Sequence, residues 1–144
     1  MKIMLATAIA FSADKHKGQF DRGGMPYILH PLRVMYYLKT DDMELMCIAV
    51  LHDVVEDCGV TYADLRTIGM SERVIAGVKG MTKVPGETED EAFVRLTSNR
   101  DTILVKKEDL RHNMDARRLK EISPKASARM DKYCKLYWAL KDLA

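Results

Sequence analysis

The sequence is poor in the residues that staple or stiffen a chain. Its three cysteines, Cys47, Cys58 and Cys134, are odd in number and show no Cys-x-x-Cys spacing. That excludes a disulfide scaffold and points to reduced thiols in a cytoplasmic protein. Four prolines and eight glycines in 144 residues are too few for a collagen-like or low-complexity chain. Aromatics make up only 7%, with a single tryptophan. No apolar run approaches the roughly 20 residues of a membrane-spanning helix. Twenty-three basic residues against 21 acidic ones leave a net charge of +2 without a block of either sign. Nothing in that balance draws the chain to nucleic acid or to a membrane surface. No segment alternates at period two for long enough to form a strand.

What remains is an ordinary soluble composition, 47% hydrophobic and 31% charged, in a length that suits one domain over residues 1–144. The apolar spacing predicts an all-α bundle of about 7–9 helices. The first covers residues 3–17, with Ile3, Ala6, Ala10 and Ala13 at helical spacing; residues 3–11 also resemble a short leader, but the pattern runs on past them. A glycine-rich loop, 18–26, leads to a helix opening at Pro31 and reaching Lys39. Asp41 or Asp42 caps a helix from Met43 to Asp57, and Cys58-Gly59-Val60 breaks it. Thr61 caps a short helix ended by Gly69, and Ser71-Glu72 opens another that runs to Met81. Residues 89–97, 101–119 and 125–143 complete the set, the last carrying Ala126, Met130, Tyr133, Cys134, Tyr137 and Leu140 on one stripe. Cys47 and Cys134 are expected in the core.

One stretch is unusual. In Ala49-Val50-Leu51-His52-Asp53-Val54-Val55-Glu56-Asp57, four polar groups interrupt an apolar run. On one continuous helix, at about 100° per residue, they fall within an arc of roughly 140°. An imidazole beside a carboxylate, with two more carboxylates one turn on, suits a transition-type divalent metal with acid/base groups next to it. The plain alternative is a solvated helix face, which seldom has so little Lys or Arg among its acids. Two residues cannot hold a mononuclear ion alone, so further ligands must come from elsewhere in the chain. His30, in Pro26-Tyr27-Ile28-Leu29-His30-Pro31, is one candidate, although an isolated histidine there is as readily a capped or core residue. Asp109, with His112 and Asn113 at offsets of three and four, is another, although the same spacing fits a solvated face.

These segments together resemble the HD-type metal phosphohydrolases, and among them the alarmone hydrolases of the Rel/SpoT kind. The shared motifs are His16-Lys17-Gly18-Gln19, Pro26 to Pro31, His52 to Asp57 and Asp109 to Met114, all in family order. The resemblance implies an HD-domain helical fold and one divalent ion, Mn²⁺, held by His30, His52, Asp53 and Asp109. It gives Glu56 and Asp57 the catalytic roles and His112 that of a hydrogen-bonding partner to the ligands. Lys17, Arg22, Asn113, Arg129 and Tyr133 become the substrate-binding set. Arg129 and Tyr133 are equally well explained as a surface charge and a core aromatic. The implied reaction is 3′-pyrophosphate removal from guanosine 3′,5′-bis(diphosphate), with a small-molecule nucleotide as the partner and neither nucleic acid nor membrane. A homodimer is compatible with it.

Two positions depart from the family. Where its loop carries two basic residues, the first packing on guanine, this chain has Asp21-Arg22; where Arg-Thr follows the His-Asn-Met run, it has Asp115-Ala116. The metal and catalytic motifs are intact while the base- and phosphate-reading positions differ, which leaves the nucleotide open. A phosphohydrolase acting on a nucleotide with a 2′- or 3′-phosphate, a binding module with an inactive site, and a purely structural helical protein are the competing readings.

Overall fold

The computed structural model describes residues 1–144 as nine α-helices and one short 3-10 turn, with no strand beyond an isolated bridge between Phe20 and Pro26. The helices are α1 (Lys2–Lys15), α2 (Leu29–Tyr37), α3 (Met43–Leu51), α4 (Val54–Cys58), α5 (Tyr62–Thr67), α6 (Glu72–Met81), α7 (Glu89–Thr97), α8 (Arg100–Asn113) and α9 (Pro124–Leu140); the 3-10 turn is Ala116–Arg118. No helix is long and apolar enough to cross a membrane.

Helix α3 is the axis of the bundle. From Cys47 to Leu51 every residue is fully buried, as expected for a helix that is apolar all round and must be covered on every side. Helices α1, α2, α6 and α8 pack around it. Small residues let them come close. Ala8 of α1 is fully buried, and the Ser12 hydroxyl donates to the Val50 carbonyl at 2.7 Å. Gly77 of α6 faces Ile48 so closely that a Cβ there would overlap the isoleucine side chain.

The helix starts follow the sequence. Asp42, Thr61, Ser71 and Ser123 each accept an amide N–H of the first turn, and Thr61 forms a reciprocal capping box with Asp64. Arg73 then joins two of these ends, pairing with Asp42 at 2.7 Å, Glu44 at 3.1 Å and Asp101 at 2.8 Å.

Four expectations are corrected. The expected face of α1 is wrong: Ile3, Ala6, Ala10 and Ala13 are exposed, while Ala8 and Ser12 are buried. The predicted helix 43–57 is interrupted at His52-Asp53. There the His52 ring donates through Nδ1 to the Ala49 carbonyl at 2.6 Å, taking the acceptor that the Asp53 amide would use in a continuing helix. Helix α8 stops at Asn113 instead of running to Leu119, because the Asp115 carboxylate caps the Arg117 amide and starts the 3-10 turn. Cys134 is exposed, against its expected core position; Cys47 is buried, and all three cysteines are free thiols.

Candidate metal centre

Three helices converge on one buried point. His30 comes from the first turn of α2, His52 from the end of α3 and Asp109 from the last turns of α8, and all three are nearly inaccessible to solvent. Their ligating atoms lie within 4.8 Å of one another. Asp109 Oδ1 stands 2.9 Å from His30 Nε2 and 3.3 Å from His52 Nε2. Asp53 Oδ2 adds a fourth atom, 3.0 Å from His52 Nε2 and 3.8 Å from His30 Nε2. Metal–ligand bonds of about 2.0–2.2 Å place neighbouring ligand atoms roughly 3 Å apart, so this spacing suits a single cation.

The donor chemistry makes the same point. His52 spends its Nδ1 proton on the Ala49 carbonyl. In the neutral ring Nε2 is then a lone pair, and it faces two carboxylate oxygens. It is buried and makes no hydrogen bond. Only a cation, either a proton or a metal ion, reconciles a lone pair with two anionic oxygens at that distance. The His/His/Asp set therefore fits a divalent ion.

Charges around the cluster are arranged for the same purpose. Burial favours a neutral His52, yet the Asp53 and Asp109 carboxylates outweigh it and hold the pKa well above the ordinary imidazole value. Burial raises the Asp53 carboxyl, but His52 overrides it and brings the pKa down to about 2. Burial opposes ionisation of Asp109 as well; the Lys106 ammonium and the two imidazoles keep it ionised, well below the usual range. Lys106 Nζ sits 2.9 Å from Asp109 Oδ2, leaving Oδ1 to the histidines. Asp109 Oδ1 also accepts from Asn113 Nδ2 at 3.2 Å. Tyr27 donates its hydroxyl to Asp53 Oδ2 at 2.6 Å, and burial beside that carboxylate raises the phenol pKa.

His112 stacks on His30, with rings 5.0 Å apart and 10° from parallel, and the two Nδ1 atoms share a hydrogen bond of 2.8 Å. Burial, the Arg118 charge and the neighbouring His30 and Arg33 depress its pKa to about 4. A neutral His112 thus fixes the His30 ring without facing the cluster itself.

Glu56 and Asp57 lie on α4, just past the break, and both are exposed. The Lys83 amide, in the loop between α6 and α7, donates to Glu56 Oε1 and fixes it. The Asp57 pKa is raised by burial and by the charges of Asp53 and Glu56.

Beside the cluster opens a cavity of about 400 Å³ that includes Arg22, Tyr27, Asn113, Arg118, Arg129 and Tyr133 in its lining. Arg22, Asn113, Arg129 and Tyr133 of the expected substrate set are thereby brought together. Lys17 is exposed and lines neither this cavity nor the apolar one next to it. Sequence reasoning missed Tyr27, Lys106 and Arg118. Tyr27 lay inside a motif already singled out, and Lys106 is readable as an i,i+3 partner of Asp109. Arg118 ends the 3-10 turn after α8 and carried no signal.

The helical arrangement and the buried His–His–Asp cluster agree with the HD-type fold expected from the sequence motifs. No family model matches the chain. It is 35% identical over 140 residues to a guanosine-3′,5′-bis(diphosphate) 3′-pyrophosphohydrolase of Haemophilus influenzae, covering 85% of this chain and 20% of that protein. It is 33% identical over 122 residues to the bifunctional (p)ppGpp synthase/hydrolase SpoT of Escherichia coli, covering 76% and 17%. The chain thus spans about a fifth of the length of the curated relatives it matches. Its fold matches that of a metazoan ortholog of SpoT, which hydrolyses ppGpp and plays a role in starvation responses. That match has a TM-score of 0.81 at 19% identity and covers 97% of this chain and 86% of the other. The chain shares the helical fold of that protein and is similar over most of its length to a segment of the SpoT-type pyrophosphohydrolases.

Proposed function

We propose that residues 1–144 form one HD-type catalytic unit that removes pyrophosphate from the 3′ position of guanosine 3′,5′-bis(diphosphate), using one divalent ion, Mn²⁺. The observation that carries this reading is the buried His30–His52–Asp109 cluster, joined by Asp53 and opening beside an arginine-lined cavity. It occurs in a chain one-third identical to enzymes named for that reaction. Three free thiols fit a reducing cytoplasm.

In this reading His30, His52, Asp53 and Asp109 hold the ion. A divalent ion bound there would supply Lewis acidity to a water molecule and to a phosphoryl oxygen. Glu56, fixed by the Lys83 amide, would orient an attacking water and accept its proton. Asp57, whose raised pKa lets it keep a proton more readily than an ordinary carboxylate, assists proton transfer to the leaving group. Arg22 and Arg129, with Lys17 at the exposed rim, neutralise phosphate charge; Asn113 and Tyr133 contact the nucleotide.

A second reading, hydrolysis of a different nucleotide by the same centre, is favoured by Ala116, which offers no hydroxyl to a phosphate. The deciding experiment measures pyrophosphate and phosphate release from a nucleotide panel with Mn²⁺, alongside elemental analysis of the protein. Pyrophosphate release from guanosine tetraphosphate at the highest kcat/KM supports the first reading. A different nucleotide in that place supports the second, and a metal-free, inactive protein overturns both.

A further inference from the structure

We propose that Arg118 is the nucleotide-reading cation of this site, and that Asp21 is the residue that positions it. The inference rests on the hydrolase reading for its substrate, but not for its geometry. Three arginines line the cavity beside the metal cluster: Arg22, Arg118 and Arg129. Only Arg118 is fixed by its surroundings. Its Nη1 donates to the His112 carbonyl at 3.1 Å and to Asn113 Oδ1 at 3.3 Å. Its Nη2 stands 3.5 Å from Asp21 Oδ2. The side chain is only 20% exposed.

Asp21 therefore does not present a free negative charge to a substrate. Its Oδ1 accepts the amides of Gly23 at 3.0 Å and Met25 at 2.9 Å, closing the loop, and Oδ2 faces the arginine. The loop and the turn after α8 are docked backbone to backbone: a Cβ on Gly23 would collide with the Arg118 carbonyl. The acid that looked unfavourable in the sequence is spent on holding a guanidinium, delivered from the far side of the cavity.

With both Nη1 hydrogens engaged and Nη2 no nearer than 3.5 Å to Asp21 Oδ2, the Nε–Nη2 edge makes no hydrogen bond within the protein. That is the edge with which arginine grips a phosphate or the acceptor side of a purine through two parallel bonds. Asn113 links this guanidinium to Asp109, so the cation and the metal cluster keep a fixed separation. An arginine already held in place loses little freedom on binding, which favours it over Arg22 and Arg129 as the residue that sets affinity.

The test uses the full chain loaded with Mn²⁺ and guanosine tetraphosphate, with both turnover and equilibrium binding as readouts. Arg118→Gln should weaken binding and raise KM by about tenfold to a hundredfold, the loss expected for a charge-assisted contact, with kcat and metal content little changed. Arg118→Lys, which keeps the charge without the bidentate edge, should recover only part of that loss. Asp21→Asn keeps the loop acceptor and removes the charge facing Arg118; it should raise KM severalfold and leave kcat alone. Asp21→Arg removes the loop acceptor and repels Arg118, so it should weaken binding. Wild-type turnover with unchanged KM in the Arg118 variants overturns this role and leaves the hydrolase reading standing. Tight binding that depends on Arg118 without pyrophosphate release supports the role and overturns the hydrolase reading. No binding by the wild type overturns both.

Discussion

Asp109 Oδ1 meets His30 Nε2 at 2.9 Å across 79 residues of sequence. The same oxygen lies 3.3 Å from His52 Nε2, while Lys106 neutralises the other carboxylate oxygen. Asp109 is thus the group that makes two imidazole nitrogens and one cation compatible in a nearly buried space. Asp109→Asn preserves its shape and removes its charge. The variant should lose bound metal to background level, as measured by elemental analysis after dialysis. Metal retained at the wild-type ratio would remove Asp109 from the ligand set.

Glu56 and Asp57 stand next to the cluster without belonging to it. Glu56→Gln can still accept the Lys83 amide through its side-chain carbonyl, so the loop between α6 and α7 should keep its place. The expected result is normal metal content and a kcat lowered by about 10²–10⁴-fold, the range attributed to a lost general base. Asp57→Asn should retain metal too, with a loss on the leaving-group side that shrinks for substrates with better leaving groups. Equal loss for all leaving groups would argue against that role.

Part of this centre was legible because its chemistry is local, whereas His30 and Asp109 were reached only through the family motifs. His52 and Asp53 are adjacent, Asp109 and Asn113 are one turn apart, and caps such as Asp42, Thr61 and Ser71 act within three residues. What was illegible depends on contacts distant in sequence. The buried face of α1 carries Ala8 and Ser12, whose hydroxyl meets the Val50 carbonyl, with Met4, Leu5, Ile9 and Phe11 packed beside them; alanines elsewhere on that helix obscure the periodicity. The break after Leu51 arises because one histidine ring competes for a carbonyl, which helical periodicity does not register. Arg118 becomes part of the cavity only because α8 ends at Asn113 and the chain folds back onto Gly23.

The close approach of α6 to α3 sets the platform on which His52 rests. Gly77 is buried against Ile48, and an added methyl group would overlap several atoms of that side chain. Gly77→Ala also raises helix propensity, by about 1 kcal/mol at an exposed site. Overpacking in a full core costs about 1–3 kcal/mol, so the net change should be destabilising. Denaturant unfolding measures it directly. A more stable Gly77→Ala variant would mean that Ile48 has room to move, and Ile48→Val in the same background should then bring no further gain.

His112 gives the pH dependence of stability a definite sign. In the folded chain its pKa is depressed to about 4, against a reference of 6.5. Between those values the unfolded chain takes up a proton that the folded chain refuses. Stability from this group is therefore complete above pH 6.5 and lost progressively as the pH falls toward 4. His112→Gln can still hydrogen-bond His30 but does not titrate. Other groups, His52 and the buried aspartates among them, are common to both proteins and largely cancel in the comparison. The stability of the wild type relative to His112→Gln should fall by about 1–2 kcal/mol between pH 7 and pH 5, following the linkage relation. Metal-free protein in urea at a series of pH values gives the measurement. A difference that stays flat across the range would show that His112 titrates alike in both states, and the neutral brace on His30 would then have to be abandoned.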